Sequence, residues 1–128
     1  MTEVVERIAT LGRGRVIVLW LLRGLVGLAF LAAGGAKLAG ASAMVATFAT
    51  VGVGQWLRIV TGTLEIAGAI ALFIPGLTFY AALLLMIVMV GAIGAHLTVL
   101  GGSPAPASVL LLLSAGIAWL SRRTRITN

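Results

Sequence analysis

Four apolar runs dominate the chain, at about residues 16–38, 56–74, 77–100 and 105–120, separated by short breaks rich in glycine and proline. A helix rises about 1.5 Å per residue and a bilayer core is about 30 Å thick, so runs of this length predict membrane-spanning helices. The last run is short and crosses only with little tilt, or by starting near Pro104, where a first helical turn tolerates proline. Pro75-Gly76 predicts a tight turn that joins the second and third runs in a helical hairpin, and residues 101–106 read as a loop. Residues 39–55 are too short and too interrupted by glycine to cross; Met44, Val45 and Phe48 share a helical face there, which predicts a short interfacial or re-entrant helix between the first two spans. Ahead of the first run, Val4, Val5, Ile8 and Leu11 recur among charged residues, the pattern of a short amphipathic helix on the membrane surface. The expected fold is all-α: a transmembrane four-helix bundle forming one integral membrane domain over residues 1–128.

Composition agrees with the pattern. Apolar residues make up 61% of the chain and charged residues 9%, with a mean hydropathy of +1.19, against about 45–50% and 25% in soluble domains. A net charge of +6 raises the question of nucleic acid, but the cations do not gather on one solvated face. Arg7, Arg13 and Arg15 precede the first run, and Arg122, Arg123 and Arg125 follow the last. That distribution orients membrane proteins and places both termini in the cytoplasm, as in a multi-pass protein of a bacterial cytoplasmic (inner) membrane. A signal peptide explains the first run less well, because Arg23 interrupts it and it exceeds the usual apolar length of such peptides. With no cysteine and one histidine, the chain has neither disulfides nor the ligands of a thiolate or His-rich metal site.

The remaining ionisable residues are few and stand inside the apolar runs. Glu65 is the only acid beyond the amino-terminal segment and falls mid-run. A charge at membrane depth costs about 2.5–3.5 kcal/mol on insertion scales, so Glu65 must be paired, protonated or turned to internal water. Arg23 is the expected partner. Arg58, Thr61 and Glu65 share one face of the second span, and Arg23, Gly27, Phe30, Gly34 and Lys37 form a stripe on the first. With His96, the outer-end residues Lys37 and Arg58 would surround a polar funnel floored by Glu65. Glu65 and His96 are then the proton-exchanging, catalytic candidates, and Arg23, Phe30, Lys37, Arg58 and Thr61 the ligand-binding ones. Plainer readings stand beside these: Lys37 and Arg58 snorkelling to phosphates, Arg23 and Glu65 as a structural clamp, and His96 as a packing residue. Gly24, Gly27, Gly62, Gly68, Gly91 and Gly94 would let helices approach closely, Met86 and Met89 would fill space, and Trp20, Trp56 and Trp119 suit interfacial belts. Gly35-Ala36-Lys37-Leu38 and Gly94-Ala95-His96-Leu97 echo each other as a parallel repeat would.

Taken in order, Arg23-Gly24 with Gly27, Phe30, Gly34 and Lys37-Leu38, then Gly62, Leu64-Glu65, Gly68 and Pro75-Gly76, then Gly91-Ala92 and His96-Leu97 give a pattern that resembles the DoxX-like family of small four-span membrane proteins. The resemblance runs from Arg23 to about Arg123. It implies a four-helix bundle and redox work, since relatives include the membrane subunit of thiosulfate:quinone oxidoreductases, and it maps the family's ionisable positions onto Arg23, Lys37, Glu65 and His96. Without cysteine the chain has no thiol chemistry of its own, so a sulfur substrate would need a partner. The expected function is binding of a small lipophilic ligand with a polar oxygen, such as a quinone, as a membrane subunit of a redox system. Its expected partners are the lipid bilayer, a soluble oxidoreductase or further copies of itself, and no nucleic acid. A small-solute transporter with Glu65 as proton-coupling site, and an anchoring subunit without chemistry, are the alternatives.

Overall fold

The computed structural model describes residues 1–127, with side chains as far as Arg122; Arg123 and Arg125 of the carboxy-terminal basic flank lie outside the described side chains. Helix α1 spans Thr2–Ala39, α2 Ser42–Val51, α3 Trp56–Ala71, α4 Thr78–Ala95 and α5 Ala105–Thr127, and α4 continues without a break into a π-helical segment, His96–Leu100. No strand occurs among the described residues. Helix α1, α4 with its π segment, and α5 are each long and apolar enough to cross a membrane; α2 and α3, bent by 119° at the break between them, pass that test only as a pair, which makes four spans where the pair counts as one and three where it is a re-entrant loop. The chain is an α-helical, multi-pass membrane protein whose outward-facing leucines, isoleucines and valines meet lipid.

Helix α1 packs on α3 and α5, and α4 packs on α3 and α5, which closes a ring of four. Val26 and Phe30 of α1, Leu85 of α4 and Ile117 of α5, with Leu72 just past the end of α3, are fully enclosed at its centre. Small residues set the spacing, though not all those expected to. A Cβ on Gly34 would come within 2.8 Å of the Gly62 carbonyl oxygen, one on Gly62 within 3.0 Å of the Gly34 oxygen, and Gly27 and Gly68 have a ring of Phe73 and the side chain of Leu85 in the same way against them. Gly24, Gly91 and Gly94 have nothing within 4 Å and do not serve close approach.

The separate surface helix expected at the amino terminus does not form. Val4, Val5, Ile8 and Leu11 lie on the same unbroken 38-residue helix as the first span and are exposed, which gives α1 a length of about 57 Å. Arg15 ties this length to the bundle by donating from Nη2 to the Leu120 carbonyl of α5 at 2.7 Å. Gly12 and Gly14 disfavour helix by about 1 kcal/mol each relative to alanine, yet the helix runs through both without a break.

Helix α1 ends where Gly40 takes a left-handed conformation (φ 72°) that lets its N–H reach the carbonyls of the last turn. Helix α3 stops at Ala71; tighter turns (Phe73 to Ile70, Ile74 to Ala71) then lead into Pro75-Gly76. Helix α5 begins directly after Pro104, whose carbonyl accepts the Ser108 N–H at 2.9 Å.

Candidate functional site

The contact of Gly34 with Gly62 brings the backbones of α1 and α3 together beside the one ion pair found among the described residues. Lys37 Nζ lies 2.9 Å from Glu65 Oε1 and 3.2 Å from Oε2, so one ammonium engages both carboxylate oxygens. Glu65 is 1% exposed and Lys37 15%. Side chains on a helix lean toward its amino terminus. Because α1 and α3 run antiparallel, Lys37 and Glu65 lean toward each other across the glycine contact.

The expected Arg23–Glu65 pair is therefore replaced by Lys37–Glu65. Arg23 sits lower on α1 and leans away from Glu65, toward the turn between α3 and α4. There its Nη2 donates to Thr78 Oγ1 at 3.0 Å, Thr78 donates in turn to the Leu72 carbonyl at 3.0 Å, and the guanidinium lies 4.6 Å from the centre of the Trp20 ring.

Arg58 has a different task from the funnel. It donates from Nη1 to the Lys37 carbonyl in the last turn of α1 and from Nε to Gln55 Oε1 at 2.8 Å, while Gln55 Nε2 donates to the Val45 carbonyl of α2 at 3.0 Å. The arginine binds the carboxy-terminal turn of α1, where a cation suits the helix dipole, and joins it to α2 and the start of α3.

A cavity of about 480 Å³ opens beside the ion pair. Lys37, Thr61, Glu65 and His96 supply its polar wall; Met44, Thr47, Phe48 and Val51 of α2 cover one side, and Ile87, Val88, Gly91 and Ala92 of α4 form another. Ile87 is 69% exposed and still lines the cavity, which thus reaches the lipid-facing surface of α4. Arg23, Arg58 and Phe30 are outside the lining; Phe30 is wholly buried in the core. Helix α2, expected as a short interfacial or re-entrant helix, brings Met44 and Phe48, two residues of the face that its spacing predicts, to the cavity lining.

His96 opens the π segment at the end of α4. Its Nδ1 is 2.9 Å from the Gly101 carbonyl oxygen, and the Gly101 N–H returns a bond of 3.1 Å to the His96 carbonyl. Extra backbone turns of this kind are frequent at functional sites. No group of three or more metal-binding side chains occurs among the described residues.

The model of the DoxX-like family matches residues 21–119. The chain belongs to the DoxX-like family. The matched region of this DoxX-like protein includes the whole cavity and the ion pair, and leaves out the amino-terminal turns of α1 and the end of α5. No curated protein and no solved structure matches the chain.

Proposed function

We propose that this DoxX-like protein binds a small lipophilic molecule carrying a polar oxygen, of the quinone type, in the cavity between α2, α3 and α4. The observation that carries the reading is the composition and position of that cavity. Its volume of about 480 Å³ lies in the range of small-molecule sites. Its walls are mostly apolar, with a few polar groups, Lys37, Thr47, Thr61, Glu65 and His96, among the lining. Such a wall suits a ring or chain that arrives through lipid, at the Ile87 side, and is oriented by one or two hydrogen bonds. A buried ion pair is not needed for stability, since apolar side chains of similar volume often serve as well; one placed at a cavity wall has a ligand to orient.

Service as the membrane subunit of a redox system, with a soluble oxidoreductase as electron donor or acceptor, is the setting implied by the family resemblance. The arginines flanking the first and last spans favour a bacterial inner membrane with both ends cytoplasmic.

The test is mass spectrometry of small molecules that co-purify in mild detergent with the wild type and with Glu65→Gln, each refolding control passed by its circular dichroism. A lipophilic carbonyl or hydroxyl compound enriched on the wild type and depleted at least about tenfold on the variant is expected, since a hydrogen bond to a charged group contributes about 1.5–3 kcal/mol. An empty wild type that also ignores both an added short-chain benzoquinone and its quinol would defeat the reading and favour proton-coupled solute flux instead.

A further inference from the structure

The reading above leaves open what the polar wall asks of its occupant, and His96 answers it. A backbone carbonyl oxygen only accepts hydrogen bonds, so the 2.9 Å contact of Nδ1 with the Gly101 oxygen requires the proton of the neutral ring to be on Nδ1. Nε2 is then the nitrogen with the lone pair, and no partner for it exists among the described residues. Gly101 makes the arrangement possible. It stands at φ 66°, ψ −160°, a conformation open to glycine and strained for side-chain-bearing residues, and this turn carries its carbonyl back over the π segment to the ring.

The other polar groups of the wall are less open to that role than Nε2, which has no partner among the described residues. Both oxygens of Glu65 are engaged by Lys37 Nζ, Lys37 has only donors to offer, and the Thr61 hydroxyl takes either part. Helices α2 and α4 bring only apolar and hydroxyl-bearing side chains to the lining apart from His96 itself. We infer that His96 Nε2 is the acceptor that the cavity shows its ligand, and that the ligand meets it with a hydroxyl: a lipophilic phenol or quinol, held at His96 through its O–H while a second oxygen, where present, accepts from Lys37. This inference rests on the pocket reading and narrows it, since an occupant with acceptors alone would leave Nε2 unsatisfied.

His96 is the single histidine of the chain, so nitrogen-15 labelling of histidine reports on it alone. In lipid nanodiscs, with the ring neutral, the free protein should show the Nδ1–H tautomer. A 4-alkylphenol should shift the Nε2 resonance and bind about tenfold more tightly than the corresponding 4-alkylanisole, which has the same shape without the donor. In His96→Phe the preference should vanish while the anisole still binds. An Nε2–H tautomer, or equal binding of the two probes with the Nε2 resonance unmoved, overturns the inference and leaves the pocket standing. If neither probe binds the wild type, the pocket reading and this inference fall together.

Discussion

Lys37 and Glu65 show what a single residue's position along a helix decides. The presence of a buried acid needing a cation was legible in the sequence, because mid-run Glu65 has no other physical resolution; the identity of its partner was not. Gly34 faces Gly62, and eight residue steps separate the level of Arg23 from that of Glu65, or about 12 Å along the axis. Arginine leaning toward the amino terminus of α1 moves farther off, whereas Lys37 closes on the carboxylate from the other side. Register between antiparallel helices is what composition and spacing on one helix leave undetermined. The assignment predicts that Lys37→Met, which strands a buried carboxylate, costs about 3–5 kcal/mol, and that Glu65→Met added to it recovers most of the loss. Denaturant unfolding in mild detergent measures both. Arg23→Met should cost the same in the wild type as in Glu65 variants, since the two sites are independent and their effects add.

Elements were read more reliably than contacts, for a physical reason: an apolar run must satisfy its own backbone in lipid and so becomes helix wherever it is long enough. The limits of α4 and α5 follow from Pro75-Gly76 and Pro104 for the same reason, and the bent helix α2 from a run too short to cross. The amino-terminal segment went astray because the surface pattern of Val4, Val5, Ile8 and Leu11 is the same whether a helix lies flat or stands up. The unbroken helix Thr2–Ala39 shows that it continues the first span. Glycine roles were also hidden, since Gly24 and Gly34 look alike in sequence and differ in what faces them. The structure separates them: Gly34→Ala drives a Cβ to 2.8 Å from the Gly62 oxygen and 3.2 Å from Glu65 Cβ. It should cost about 1–3 kcal/mol by overpacking and part the ion pair. Gly24→Ala meets nothing within 4 Å and should raise stability by about 0.5–1 kcal/mol through helix propensity. Thermal unfolding of the two variants beside the wild type decides it.

At the scale of the whole molecule, the cavity exists because the ring of helices is not closed evenly. Helices α1 and α3 are drawn together by Gly34 and Gly62, and α4 and α5 pack along their length, while the bend between α2 and α3 leaves α2 leaning over the gap beside α4. The lining includes Ile87 on the exposed apolar face of α4, which gives a lipophilic ligand an approach from the bilayer. Filling the cavity from the α4 side should therefore abolish binding without disturbing the ion pair on α1 and α3. Gly91 lines the cavity and has no atom within 4 Å of where its Cβ would stand, so Gly91→Leu has room to fold. The variant should keep the wild-type unfolding midpoint and lose the co-purifying lipophile and the phenol response together. Loss of the ligand with a fallen midpoint would mean that the helices had moved. Retention of the ligand at full occupancy would count against binding along the Gly91 stretch of the α4 wall.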